Sequence, residues 1–518
     1  MPLTTAIVSS WSAKSDTELI GELAKQNDDL AQRSQFSELD ADLRKELQEF
    51  LAERPESSTP EVSTEILRML RILARDQGLI DGLLNEAKYD LVIMCGLHRG
   101  KPTRSYSCLD EAEKCLINTL HHSSKARAIF EKVALERLIE RLGQFRSGSS
   151  VSVDGLTQPL SAKQAEDIWF YDLRISFVSS AHLPSIQKTW RENPAVAGVF
   201  IETAQEMLEK KADENFGDAP SAVKNRASEA LKILYNLICR CPNTGFPTNF
   251  PAKRLTELAC DFVRVGLLFG QDLLQHGVNL LTAVPRKQHE GRDMTIPDVL
   301  VTILGNLLDE KKTASERDLL NTYFAVLLNI CSECAEARRY CRLMILPPLR
   351  ASDVARRPDE GDTLRNRMVR AIHATVSRDL AAEFLFVLCK RSVPRMIKYT
   401  GFGHAAGLFA DRGLLGKISE RKDGDSEDSD TEEYNDVRDN VNPVSGYVQP
   451  RGENPLADMS DEQKEYEAMK LVNAIDQMMR SGGIRPATIG PDGRPREVSH
   501  VLELAKDAPA DEMNSDSD

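Results

Sequence analysis

Apolar residues recur every three to four positions along most of the first 415 residues, the spacing that gives an α-helix one buried face. The pattern predicts helices over 16–32, 36–53, 60–75, 79–95, 109–120, 125–145, 221–240, 253–275, 296–309, 316–333, 335–345, 361–375 and 378–390. Proline and glycine punctuate the intervals, as in RCPNTGFPTNFP and LPPLRASDVARRP, where a helix cannot run on. Period-two alternation is confined to SVSVDGL at 150–156, inside a polar loop. The chain reads as all-α.

A leucine-rich block carrying one Asn returns within these helices: CLINTL (115–120), ILYNLI (233–238), ILGNLL (303–308) and VLLNIC (326–331), with VNLLTAV (278–284) a looser relative. The intervals are irregular. Short helices at this density nevertheless predict a solenoid of armadillo or HEAT type, with units of ~40–47 residues that bury their faces only against neighbours. One helix per unit then lines a long concave surface. An Asn among leucines can be a locally satisfied core group. Its return at equivalent places points instead to amides on the concave face, able to bond a peptide ligand. Arg71 and Arg75, four apart, share a helix face. Arg338, Arg339 and Arg342 cluster in EARRYCRLMILPPL, and Arg365, Arg367 and Arg370 in LRNRMVR. Each cluster alone reads as a solvated face; together, on a nearly neutral body, they are a candidate groove for an anionic partner.

Charge divides the chain. Residues 417–518 hold 12 Lys and Arg against 25 Asp and Glu, whereas residues 1–416 hold 54 against 55. The stretch DGDSEDSDTEEY (423–434) carries seven carboxylates, two serines and a threonine, a composition that belongs to a solvated regulatory or solubilising segment. Beyond it, Ser460 and Gln463 form a capping box, and Tyr466, Met469, Val472, Ile475 and Met479 make one apolar stripe before Gly482–Gly483. Such a helix docks on its own body or on a partner's groove. The expected organisation is a repeat solenoid over 1–416, a disordered acidic linker over 417–458, an amphipathic partner-binding helix over 459–483 and a flexible acidic tail over 484–518.

No catalytic constellation accompanies this architecture. GFGHAAG (401–407) follows no strand and lacks phosphate-loop spacing, and the chain has no Gly-Lys-Ser/Thr, HExxH or GxSxG. Cys331-x-x-Cys334, with Cys341 nearby, finds no fourth zinc ligand. The expectation is therefore no metal, no cofactor and no covalent catalysis. The ten cysteines fall mostly in apolar helical patterns, which suits reduced thiols in the cytoplasm. The longest apolar run, LAAEFLFVLC, has ten residues and is too short to span a bilayer. A net charge of −14 argues against nucleic acid.

Several stretches resemble the synembryn family, the resistance-to-inhibitors-of-cholinesterase proteins. They are LPPLRASDVARRPDEGDTLRNRMVR (346–370), AAEFLFVLCKRSVPRMIKYTGFGHAAGLFADRGLL (381–415), SDTEEY (429–434), NPVSGYV (442–448) and SDEQKEYEAMKLVNAIDQM (460–478), with RILARD (71–76) and FYDLRISFVSSAH (170–182) as further islands. The resemblance implies an armadillo/HEAT superhelix that binds heterotrimeric G protein α subunits in the GDP-bound or nascent state. It implies a guanine nucleotide exchange factor and folding chaperone that takes the α subunit's C-terminal helix on its concave face. The tail helix would contact the nucleotide-binding domain. Carried over residue by residue, the concave contacts fall on Arg71, Arg75, Asn118, His276, Asn279, Arg338 and Arg339, and the tail contacts on Tyr466, Met469, Val472 and Ile475. Phosphorylation falls on Ser426 and Ser429; Glu432 stands at +3 from Ser429, the spacing an acidophilic kinase of casein kinase II type reads. The implied location is cytoplasmic, reaching the cell cortex through the α subunit. The competing reading is an armadillo scaffold or regulatory subunit without exchange activity. An import adaptor is disfavoured, because Trp11, Trp169 and Trp190 each lack an Asn four residues on.

Overall fold

The computed structural model describes residues 3–33, 36, 39–76, 95–97, 105–148, 153, 156, 158–209, 221–241, 246–284, 294–309, 312–374, 377–418, 430–449, 459–482, 485 and 487–498. Most of the predicted helix 79–95, and both Ser426 and Ser429, lie outside them. The chain divides into two compact units, Met1–Gln288 and His289–Asp518.

The first unit is built from α1 (Thr5–Trp11), α2 (Asp16–Ala31), α3 (Ala41–Ser57), α4 (Pro60–Leu73), α5 (Tyr106–His122), α6 (Ser124–Val133), α7 (Leu135–Arg146), α8 (Ala162–His182), α9 (Pro184–Glu192), α10 (Pro194–Glu209), α11 (Ser221–Ile238), α12 (Ala252–Phe269) and α13 (Gln271–Ala283). Helices α2, α4, α5, α8, α11 and α13 each pack on the next, forming one layer, and α3, α7, α10 and α12 back it. Each helix buries its stripe against sequence neighbours, the logic of an α-solenoid.

Local chemistry sets the breaks. Pro184 and Pro194 open α9 and α10 at the first helical turn, where a missing N–H costs nothing. Gly270, at φ 107°, reverses the chain and splits the predicted helix 253–275 into α12 and α13. The predicted helix 125–145 breaks at Ala134, whose ψ of −20° and φ of −123° leave the helical region. Helix α8 escaped the periodicity because it buries Asp172, Ser176, Ser179 and Ser180, which interrupt its apolar stripe; α9 and α10, whose buried faces are largely apolar, also lie outside the predicted set. The start of α8 was legible: Ser161 and Gln164 form a capping box, with reciprocal bonds of 2.9 and 3.3 Å.

Buried ions tie this unit together. The Arg141 guanidinium, fully buried, donates to Asp172 (2.7 Å), Glu113 (2.5 Å) and the Cys95 carbonyl (2.6 Å), joining α5, α7 and α8. Burial pushes the Glu113 carboxyl up to about 8, against the opposing pull of Arg141. Burial likewise raises Asp172. Nearby, the Arg226 guanidinium lies 4.0 Å from the Trp169 ring centroid and bonds Glu206 at 3.0 Å.

The second unit holds α14 (Thr295–Leu307), α15 (Ala314–Arg317), α16 (Leu320–Glu333), α17 (Ala335–Ile345), α18 (Leu364–Ala371), α19 (Arg378–Leu388), α20 (Val393–Thr400), α21 (Phe402–Asp411), α22 (Glu432–Asn435) and α23 (Asp461–Arg480). Helices α14, α16 and α19 stack in series, with α17 against all three. The predicted helix 361–375 is shorter, because Thr363 caps α18 by accepting the Asn366 N–H. Two antiparallel hairpins, β1–β2 (Val441–Asn442, Tyr447–Val448) and β3–β4 (Ala487–Ile489, Pro495–Glu497), complete it.

Part of the span expected to be a disordered linker is ordered. Over 430–449 the chain straps onto the repeats: Lys398 pairs with Asp430, the Thr431 hydroxyl donates to the Leu349 carbonyl, and Tyr434 is buried with Lys398 at 4.9 Å from its ring. Backbone bonds follow, from Val448 N–H to Val354 (2.8 Å), Phe402 N–H to Pro443 (2.8 Å) and Gly403 N–H to Val444 (2.9 Å). Gly446, at φ 77°, approaches Gly401 so closely that a Cβ on it would lie 2.7 Å from the Pro358 ring. Composition could not reveal this docking, because its partners are mostly backbone groups. Within the span expected to be a flexible tail, β3–β4 rests against the end of α21, where Leu415 N–H donates to Gly493 at 3.3 Å. Among the described residues, no helix is long and apolar enough to cross a membrane.

Candidate partner-binding surface

The serial layer of the first unit carries Arg71, Arg75, Asn118, His276 and Asn279. Arg71, half-buried on α4, sends Nε to Glu111 on α5 at 2.7 Å. Asn118, on the same face of α5, donates Nδ2 to the Arg71 carbonyl at 3.4 Å. These two residues therefore meet at the α4–α5 seam. Arg75, exposed, is placed differently: it caps the end of α2 through the carbonyls of Ala31 (2.8 Å) and Arg33 (3.2 Å).

His276 and Asn279 lie on α13, at the far end of this layer, separated from Arg71 by α5, α8 and α11. The His276 ring shares a 3.0 Å hydrogen bond with Ser228 on α11. Burial, then the Lys232 ammonium, hold its pKa below the usual imidazole range, so the ring is neutral at neutral pH. Asn279 accepts from Gln275 at 2.9 Å.

Between these ends is a cluster that the sequence reading missed. Lys232 and Arg174 flank the Phe177 ring at 4.7 and 5.5 Å, and both donate to Glu229 Oε1, at 2.6 and 2.8 Å. Asn236 of ILYNLI donates to the Phe177 carbonyl (3.3 Å) and the Ser180 hydroxyl (3.1 Å). The signal was available: Arg174 and Phe177 stand three apart in LRISF, and Lys232 stands one helical turn before Asn236. The layer thus presents alternating guanidinium, amide, ammonium and imidazole groups on successive helices, each held by a neighbour. Such a row suits an anionic ligand.

Arg338 and Arg339 belong to the second unit. With Arg342 and Lys390 they line a cavity of about 350 Å³ at the α17–α19 corner. Arg338 donates to the Cys331 carbonyl at 2.8 Å. Lys390 and Arg391 take consecutive left-handed conformations (φ 55° and 54°), which L-residues adopt only under constraint. The tail residues Tyr466, Met469, Val472 and Ile475 lie on α23, which buries none of its side chains; Tyr466 is 68% and Met469 63% exposed. Val472 and Ile475 are half-buried, and with no side chain fully buried α23 is not a core helix. Among the described residues, no group of three or more His, Cys, Asp or Glu could hold a metal ion.

A family model described as "Ric8: Guanine nucleotide exchange factor synembryn" matches residues 66–494. The chain is 46% identical to Chaperone Ric-8 of Drosophila melanogaster, covering 80% of this chain and 78% of that one. It is 36% identical to Chaperone ric-8 of Caenorhabditis briggsae (88% and 89% covered) and 32% identical to Chaperone Ric-8A of Mus musculus (90% of each). Among solved structures, an engineered protein bears a loose likeness, with a TM-score of 0.42 and 15% identity over 79% of this chain and 96% of that one. With the match running from the Arg71 helix through the strap to the β3–β4 hairpin, the chain belongs to the Ric8 (synembryn) family.

Proposed function

We propose that this protein is an exchange factor and folding chaperone for heterotrimeric G protein α subunits, binding the GDP-bound or nascent subunit and holding it nucleotide-free until GTP arrives. Family membership supports the reading, and so does the named family activity. The observation that carries it is the row of cations and amides along the α4–α5–α8–α11–α13 layer. A helix withdrawn onto this row loosens the subunit's own guanine site, so exchange follows as a population shift. The protein needs no nucleotide pocket for that role. Arg71, Asn118, His276 and Asn279 would meet the ligand helix, with Arg75, Arg338 and Arg339 as further cationic contacts. The exposed stripe of α23 supplies a second contact.

The strap is the natural point of control. Phosphates placed by an acidophilic kinase on Ser426 and Ser429, just ahead of Asp430 and its Lys398 partner, would add charge where the strap already pairs with the repeats. A cytoplasmic site of action, extended to the cell cortex by the bound subunit, follows from this partner.

The test is retention of a purified α subunit without nucleotide, with GDP and with GTP. Binding that survives without nucleotide and collapses with GTP is the expected result. Retention indifferent to nucleotide would favour a scaffold without exchange activity.

A further inference from the structure

The chain leaves the strap, forms α23 and returns to the same unit, so the tail helix is anchored beyond each end. Upstream, the strap is bonded to the repeats through Val448 N–H and the Val354 carbonyl at 2.8 Å. Downstream, the turn of β3–β4 is seated on the end of α21. Gly413, one residue past the helix cap at Arg412, takes φ 66° and closes α21 as a Schellman motif: its N–H donates to Ala410 at 3.2 Å, and the Leu414 N–H donates to Phe409 at 2.7 Å. Gly493, in the hairpin turn, meets it at φ 71°. A Cβ on Gly413 would lie 2.7 Å from the Asp492 carbonyl oxygen, and one on Gly493 would overlap the Gly413 carbonyl oxygen. The two turns therefore interlock through a glycine on each side, and the Leu415 N–H adds its bond to Gly493. Strand β4 is exposed throughout, and a two-stranded hairpin is marginal by itself, so this seat, with the buried Val498 just past β4, is what holds it.

We infer that β3–β4 is a clasp, which turns α23 from a free arm into a handle held at both ends and thereby sets how readily the tail helix reaches a bound α subunit. The inference rests on the second contact proposed above. Six residues separate Arg480 from Ala487, and twelve separate Val448 from Asp461. With the clasp closed, the C-terminal end of α23 stays within ~20 Å of the hairpin, at up to ~3.5 Å per residue. With the clasp open, that end can swing ~70 Å from Val448, ~40 Å of tether plus ~30 Å of helix. The effective concentration of a tethered group falls roughly as the −3/2 power of tether length, so dependence on the twelve-residue tether alone makes the second contact about threefold rarer. The groove side chains play no part in that change. The clasp therefore acts on exchange and leaves recognition of the ligand helix alone.

The test uses the full-length protein in excess over a purified GDP-bound α subunit, so that the first contact is saturated, and reads uptake of a fluorescent GTP analogue. Gly493→Ala should open the clasp, seen as faster hydrogen exchange over 487–498 with α21 unchanged. This variant and an internal deletion of 487–498 should each slow nucleotide exchange about threefold, with unchanged affinity for a peptide of the α subunit's C-terminus. Twelve Gly/Ser residues inserted after Gly482 leave the clasp seated but triple its tether, and should slow exchange to the same level. Exchange at the wild-type rate after deletion of 487–498 would overturn the inference. So would a deletion that slows exchange while the insertion does not, because the hairpin would then be touching the α subunit itself. Exchange by the wild-type protein in the same assay measures the proposed function, so the two readings fail separately.

Discussion

Replacing Arg71 by alanine separates recognition from scaffolding, because the structure gives the side chain one quantifiable internal partner. Its 2.7 Å pair with Glu111 is partly exposed, with side chains 25% and 14% accessible. Pairs of this kind contribute up to ~1 kcal/mol. Glu111 also has Lys114 at 3.6 Å, so its charge is not stranded when the guanidinium goes. Unfolding should therefore move by only ~2–4 °C for a unit of this size. A lost charge-assisted bond to a ligand carboxylate costs more, ~1.5–3 kcal/mol. That is about a 10- to 150-fold weaker affinity for a peptide of the Gα C-terminus, read by titration calorimetry. Glu111→Gln is the internal control. It disrupts the same intramolecular pair but leaves the guanidinium, so it should bind as well as wild type or better. Equal losses for Arg71→Ala and Glu111→Gln would mean that Arg71 only braces α4 against α5, and the recognition argument would fail.

Glu113→Gln tests the buried ion cluster through pH. A carboxyl held near 8 in the folded protein and near 4.5 unfolded gives stability that is full below about pH 4.5 and lost as pH rises toward 8, so the variant should flatten the fall in melting temperature across that window. Arg141→Met should destabilise by ~3–5 kcal/mol, because it removes the donor and counter-charge shared by the buried Asp172 and Glu113 carboxyls, and chemical denaturation of the first unit reads the loss. Gly446→Ala should free the strap from the second unit by the Pro358 clash plus left-handed strain of ~1–2 kcal/mol, seen as faster hydrogen exchange over 441–448 with the repeat helices unchanged. Deleting residues 459–518 should keep peptide binding on the repeats and strongly reduce nucleotide exchange; full exchange would remove α23 from the mechanism.

Much of the fold was legible because a solenoid is held together locally. A helix such as α4 or α11 buries one stripe against its sequence neighbours, so the apolar period alone reports it. The period failed where the buried face mixes polar with apolar: α8 hides Asp172 beneath Arg141 and buries three serines among Ile168, Leu173, Ile175 and Val178. It failed again at 430–449, which docks through backbone bonds and the close approach of Gly401 and Gly446, features that carry no apolar signature. The tail helix was fully written in its own residues, from the Ser460–Gln463 box to Gly482 at φ 75°.

The recurrent asparagines show why pattern alone left two readings open. In the structure Asn118 and Asn236 sit at the seams between successive helices of the layer, a place where both readings can meet. Asn118 and Asn236 spend an amide nitrogen on the helix before them, bonding the carbonyls of Arg71 and Phe177, which is the satisfied-core role. Each remains only half-buried, on the face that also carries Arg71, Lys232 and His276. An amide has more bonding capacity than one such contact uses. The same residue that sets the angle between neighbouring helices can therefore also meet a ligand lying across them. Binding along this row would then depend on how adjacent repeats are aligned, and alignment would respond to what is bound. Holding one state of a partner more tightly than another takes only a difference in binding free energy between the two states, and repeats that align around the bound helix are one way to supply it.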